Sequence, residues 1–196
     1  AGKRDKRQKA EARAWYKKVI DTVVNQATSE ARHLFLAHTD GSVKIDTKGG
    51  GGAAVVWRLL RHDANSTCPL SERWEDLGQD TAATGVISDN YHSELAGIDL
   101  SLGIGFTSRV NAKGWALRQC RLAVVGDCQE AIKSVVSPDD GSARPYWSIL
   151  PRITHNLVGF QSAGGLITSL EWGPGHIDTA LNDLADQGAK DVAANC

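Results

Sequence analysis

Two apolar runs in this chain end in an aspartate. Leu34-Phe35-Leu36-Ala37-His38-Thr39 leads into Asp40, and Leu122-Ala123-Val124-Val125-Gly126 leads into Asp127. Runs this short and this apolar read as buried strands. If the two strands are parallel neighbours, the two carboxylates lie side by side at one edge of a sheet. Parallel neighbours need a crossover connection, which is usually a helix packed on the sheet. That requirement constrains the fold more than any other feature of the chain.

The remaining periodicity supplies the crossovers. Residues 3–28 have a helical rhythm, with Trp15, Val19, Val23 and Ala27 at four-residue steps. Residues 33–40 and 53–60 read as strands, with a glycine turn at 49–52. Residues 61–80 are polar and carry Pro69 and Gly78, so a long surface loop is expected, followed by a third strand over 82–88. These three form an antiparallel meander. From Tyr91 the pattern alternates. A helix is expected over 91–107, a strand over 121–126, a short helix over 129–136 and a turn at 138–141. A helix over 145–160, a strand over 166–172 and a final helix over 179–194 follow. The expected fold is α/β, a mixed five-stranded sheet with helices on both faces.

Charge is balanced overall, at −1, so no global basic field points to nucleic acid. It is uneven, however: residues 1–30 hold eight Lys/Arg against four Asp/Glu. The first helix is therefore a basic amphipathic element or a linker, with contact to nucleic acid as the sharper alternative. No apolar run approaches the roughly 20 residues of a membrane span. The charged start has no apolar segment of the secretory kind. Cys68, Cys120, Cys128 and Cys196 have no zinc-ligand spacing. An intracellular protein with reduced thiols is expected, cytoplasmic or nuclear. Methionine is absent even at position 1, so the chain is expected to be a piece of something longer.

Two more acids stand in comparable places. Glu94 lies near the start of a helix, in Asn90-Tyr91-His92-Ser93-Glu94-Leu95. Asp186 lies on the last helix, in Asn182-Asp183-Leu184-Ala185-Asp186. Each acid alone has an ordinary explanation. Asp40 fits an Asx turn before Gly41, Glu94 fits favourable charge at a helix start, Asp127 fits a helix cap and Asp186 fits a solvated face. Four together suit a site that gathers oxygen ligands around a hard cation. Phosphodiester hydrolysis with two metals needs several carboxylates converging on such a pair.

Thr39-Asp40-Gly41-Ser42, Ser93-Glu94-Leu95, Gly126-Asp127-Cys128-Gln129, and Pro174-Gly175-His176 followed by Asn182 to Asp186 resemble the successive motifs of type 1 ribonuclease H. The resemblance spans about residues 33–194 and is strongest to domains of retrotransposon polyproteins. It implies a sheet ordered 3-2-1-4-5, with residues 1–31 as an N-terminal helix or linker and 32–196 as the catalytic domain. It implies two Mg²⁺ ions, with Mn²⁺ as a substitute, bound by Asp40, Glu94, Asp127 and Asp186. Asp40 would be the shared ligand. His176 would assist proton transfer or product release. Gly41, Ser42, Asn90, Gln129 and Asn182 would contact the backbone of an RNA–DNA hybrid, whose RNA strand is cut to leave 5′-phosphate ends. An adjoining reverse transcriptase domain is an expected partner, and the isolated domain is expected to be a monomer. The sequence departs from the family at Gly126, where a hydroxyl residue is usual, and at Cys128, where serine is usual. Segment 137–160 also lacks a lysine-rich protrusion. The rival readings are a non-catalytic nucleic-acid-binding module and an integrase- or transposase-type nuclease.

Overall fold

The computed structural model describes residues 6–44, 50–63, 67–85, 89–137, 149–163, 168–175 and 179–195. The expected turn at 138–141, Trp147 and His176 lie outside the described residues. Helix α1 spans Lys6–Ser29, and strands β1 and β2 span His33–Val43 and Gly51–Leu60. Strand β3 spans Trp74–Gly85, helix α2 Asn90–Leu102, helix α3 Ile104–Ala112 and strand β4 Cys120–Gly126. Helices α4 and α5 span Gln129–Val136 and Ile149–Ser162, strand β5 Thr168–Trp172 and helix α6 Ala180–Ala194.

The five strands form one mixed sheet in the order β3-β2-β1-β4-β5. The β1–β2 and β2–β3 pairs are antiparallel, and β4 lies parallel to both β1 and β5. The order and mixed pairing expected from the sequence are those of the structure. Register follows from alternation along β1. Phe35 and Ala37 face one core with Val55, Trp57, Leu122 and Val124, covered by α2, α4 and α5. Leu34 and Leu36 face the other side with Leu60, Ala123 and Val125, where they meet Val23, Val24 and Ala27 of α1. Helix α6 packs on the same side over β1 and β2. A Cβ at Gly52 would lie 2.2 Å from the Ala189 carbonyl, so that glycine lets α6 sit directly on β2.

Two elements differ from the sequence reading. The expected loop over 61–80 is cut short, because β3 starts at Trp74 and runs to Gly85. Its polar residues reflect an edge strand with a solvated face rather than a loop. Gly78, which suggests a break in the sequence, is absorbed at a bulge. It has φ +82°, and the register slips between Trp57 and Arg58 on the partner strand. The expected single helix over 91–107 is two helices, interrupted at Gly103 with ψ −139°. The Gly103-Ile104-Gly105 stretch has low helix propensity. Gly105 also lets α3 approach β3, since a Cβ there would be 2.8 Å from Asp80 Oδ2.

Candidate active site

The β1–β4 register ends with Thr39 opposite Gly126. Asp40 and Asp127 come next on their strands, so parallel pairing sets them together at the carboxyl edge. Glu94, the fifth residue of α2, reaches the same edge. The helix start is fixed by Asp89, whose side chain accepts the His92 N–H at 2.8 Å. One carboxylate oxygen from each of Asp40, Glu94 and Asp127 lies within 4.8 Å of the other two. Asp40 and Glu94 are each only 5% exposed.

These acids strain one another electrostatically. Burial, followed by repulsion from Asp127 and Asp186, pushes Asp40 up to about 8. Burial, followed by Asp127 and Asp40, drives Glu94 well above the usual carboxylate range. The Gly41 N–H opposes both shifts by hydrogen bonding to each carboxylate. A cation bound among the three would relieve the repulsion. Three carboxylates, with no nitrogen or sulfur ligand grouped with them among the described residues, suit a hard, oxygen-preferring ion such as Mg²⁺.

Asp186 is placed differently. It is close enough to raise the proton affinities of Asp40 and Glu94, yet it is not part of the tight trio. Lys190, one turn along α6, donates to its Oδ2 at 2.5 Å. Sequence reading named Asp186 but gave its neighbour Lys190 no part; the i, i+4 spacing was the available signal. The other residues expected to touch nucleic acid spread around the trio. Gly41 is buried and Ser42 half-buried at the end of β1. Asn90 and Gln129 are exposed first residues of α2 and α4, and Asn182 is half-buried in the first turn of α6.

The segment after β5 holds Asp127 from behind, a role the sequence did not reveal. Trp172 Nε1 donates to the Asp127 carbonyl at 3.0 Å, and the Gly173 N–H donates to the Gly126 carbonyl at 3.0 Å. A Cβ at Gly175 would be 1.8 Å from Asp127 Oδ2, so a side chain there would push the carboxylate out of its present position. Gly126 has a local reason too. A Cβ there would sit 3.0 Å from Thr39 Oγ1, so the hydroxyl at this level is carried by the neighbouring strand. A groove of about 660 Å³ between α2, α3 and α5, crossed by the Arg152–Asp99 ion pair, contains none of the site acids.

The same fold occurs in solved structures. RNase H1 from Halobacterium salinarum superposes with a TM-score of 0.50 at 18% identity, covering 83% of this chain and 99% of that one. The PFV RNase H domain gives 0.57 at 15% identity, covering 84% and 96%. The foamy viral protease–reverse transcriptase, solved in complex with an RNA/DNA hybrid, gives 0.58 at 14% identity over 85% of this chain and 21% of that one. The fold is that of ribonuclease H. No protein-family model matches the sequence, and no curated protein matches it.

The trio makes stability depend on pH in a definite direction. Asp40 binds its proton more tightly folded, near 8, than its ordinary value of 3.8. Its contribution is therefore fully present below 3.8 and is lost as pH rises through about 8. The slope from this one group is on the order of 1 kcal/mol per pH unit. In EDTA this term erodes stability across that window, whereas Mg²⁺ would favour the ionised trio. The gap between melting temperatures in Mg²⁺ and in EDTA is expected to widen from acid to pH 8. A gap independent of pH would mean that the trio does not bind the ion.

Proposed function

We propose that this chain hydrolyses the RNA strand of RNA–DNA hybrids using two Mg²⁺ ions. The observation that carries the reading is the buried Asp40–Glu94–Asp127 trio at the carboxyl edge of β1 and β4 in a ribonuclease H fold. Carboxyl ends of strands are where open α/β sheets place their sites. When bound, the ions would supply Lewis-acid activation of water and stabilise charge on the phosphate and leaving oxygen. Asp40 faces electrostatic influence from both Asp127 and Asp186, which suits it to be the shared ligand. Glu94 and Asp127 would complete the holding set, and Asp186 would join it once released from Lys190. We assign His176 to proton transfer or product release, and Gly41, Ser42, Asn90, Gln129 and Asn182 to the hybrid backbone. RNA would be distinguished from DNA by its 2′-hydroxyls. The setting we infer is template removal in a retroelement, beside a reverse transcriptase domain. The solved neighbour fused to a reverse transcriptase and bound to a hybrid supports that setting.

The test is a labelled RNA–DNA hybrid incubated with the full chain and Mg²⁺, beside duplex DNA and duplex RNA. Cleavage confined to the RNA of the hybrid, absent in EDTA, is expected. Glu94→Gln should lower the rate by roughly a hundredfold or more while leaving hybrid affinity within about twofold. Cleavage of duplex DNA instead would favour an integrase-type nuclease, and hybrid binding without cleavage would favour a non-catalytic module.

A further inference from the structure

Helix α1 runs against the direction of the parallel strands. Near its carboxyl end, Gln26 and Glu30 receive hydrogen bonds from Arg121, at 2.7 Å and 2.8 Å, close to the start of β4. Ten residues earlier, the Tyr16 hydroxyl and His38 Nε2 share a 3.0 Å hydrogen bond. The Tyr16 ring also packs where Gly173 follows β5. Trp15 sits 6.3 Å from Trp172, the last residue of β5. The amino end of α1 therefore points past the edge that carries Asp40 and Asp127. Residues 6–14 precede Trp15 and none is buried. At a 1.5 Å rise per residue they extend for about 13 Å.

This projecting half is basic. It carries Lys6, Arg7, Lys9 and Arg13 against Glu11, with Lys17 and Lys18 just behind. Trp15 beside them is 48% exposed. The rest of the chain has the opposite sign. Of 22 Lys/Arg and 23 Asp/Glu, eight and four fall in residues 1–30, leaving 14 against 19. Segment 138–148 offers one arginine and two aspartates. A polyanion lying across the acidic edge would meet concentrated positive charge on α1.

We propose that the amino-terminal half of α1 is a docking arm for the RNA–DNA duplex flanking the cleavage point. This rests on the nuclease reading above for the identity of the duplex. The carboxyl-terminal half anchors the arm. Val23 and Ala27 are buried against the sheet, and Arg121, 4% exposed, needs Glu30 and Gln26. The arm's charges are thus presented on a fixed helix, without the ordering cost of a flexible tail. The same anchoring makes truncation a poor test, because removing α1 would uncover Leu36, Ala123 and Arg121.

The test replaces Lys6, Arg7, Lys9 and Arg13 together with glutamine, which keeps helix propensity. Arg118→Gln, an exposed change near the amino end of β4, is the control. Binding of a labelled RNA–DNA hybrid is followed by anisotropy in EDTA across a salt series. Removing one lysine or arginine from a phosphate flattens the slope of log K against log salt by about 0.9. The fourfold variant should therefore show a slope shallower by about 2 to 4, with at least tenfold weaker binding at low salt. The control should match the parent. An unchanged slope in the fourfold variant overturns the arm and leaves the nuclease reading intact. Parent protein that binds without cutting in Mg²⁺ overturns the nuclease reading alone. Failure of the parent to bind overturns both.

Discussion

Asp40→Asn is expected to move activity and stability in opposite directions. On the function proposed above, activity should fall by roughly a thousandfold or more, because a ligand shared by both ions would carry several kcal/mol of the barrier reduction. Stability in EDTA should rise. Asp40 is 5% exposed and repelled by Asp127 and Asp186, so ionising it in the folded chain costs free energy. Asparagine keeps the shape and removes the charge. At pH 8 the gain is expected to be about 1–3 kcal/mol, or roughly 2–12 °C in melting temperature for a chain of this size. In Mg²⁺ the order should reverse, with the parent melting higher. Paired melting curves in EDTA and Mg²⁺, read beside the cleavage assay, check it. A variant that loses activity and also melts lower in EDTA would show Asp40 to be a structural residue, such as a turn former.

The strand-end acids were legible because burial along a strand leaves a direct trace in the sequence. An apolar run that stops at a carboxylate says where that carboxylate emerges, and parallel pairing then brings Asp40 and Asp127 together. Glu94 was legible as a helix-start acid, though only packing of α2 on β1 decides that it joins them. The first part of edge strand β3 was not legible, because it carries Glu75, Asp76 and Asp80, which are ion-paired to Lys113, Arg58 and Arg109 across the fold, and a polar stretch interrupted by a glycine looks like loop. The halving of the helix at Gly103 was also hidden, since Leu95, Ile98, Leu102 and Phe106 keep a helical stripe across the break. Packing between elements leaves the faintest trace. Nothing in the local pattern around Trp172 says that its indole holds the Asp127 carbonyl. Likewise, the four-residue rhythm of α1 shows which face is buried but not that its basic end overhangs the acidic edge. Lys190 was visible at i, i+4 from Asp186, but whether that pair stands in or beside the site depends on how α6 lies across β2.

Gly41→Ala carries the second large effect, and it separates two roles for this glycine. Sequence resemblance assigns Gly41 to the RNA backbone. The fold gives it a further task, because a Cβ there would lie 2.3 Å from Glu94 N, 2.4 Å from Ser93 C and 2.9 Å from Glu94 Cα. All three atoms are backbone of α2, so no side-chain rotation relieves the overlap. Restoring ordinary van der Waals separation of about 3.5–4 Å requires β1 and α2 to move apart by an ångström or more. The Gly41 N–H, which hydrogen-bonds to both Asp40 and Glu94, moves with them. Overpacking of this kind costs about 1–3 kcal/mol, and a displacement of about 1 Å at a reacting centre costs about a hundredfold in rate. The expected result is a lower melting temperature together with at least a hundredfold loss of kcat. Gly159→Ala provides the contrast. Its Cβ would meet nothing within 4 Å on the exposed face of α5, and it should stabilise by up to about 1 kcal/mol with unchanged activity. If Gly41→Ala raised KM alone and left melting temperature and kcat untouched, RNA contact would be its whole role, and the close approach of β1 to α2 would not govern the site.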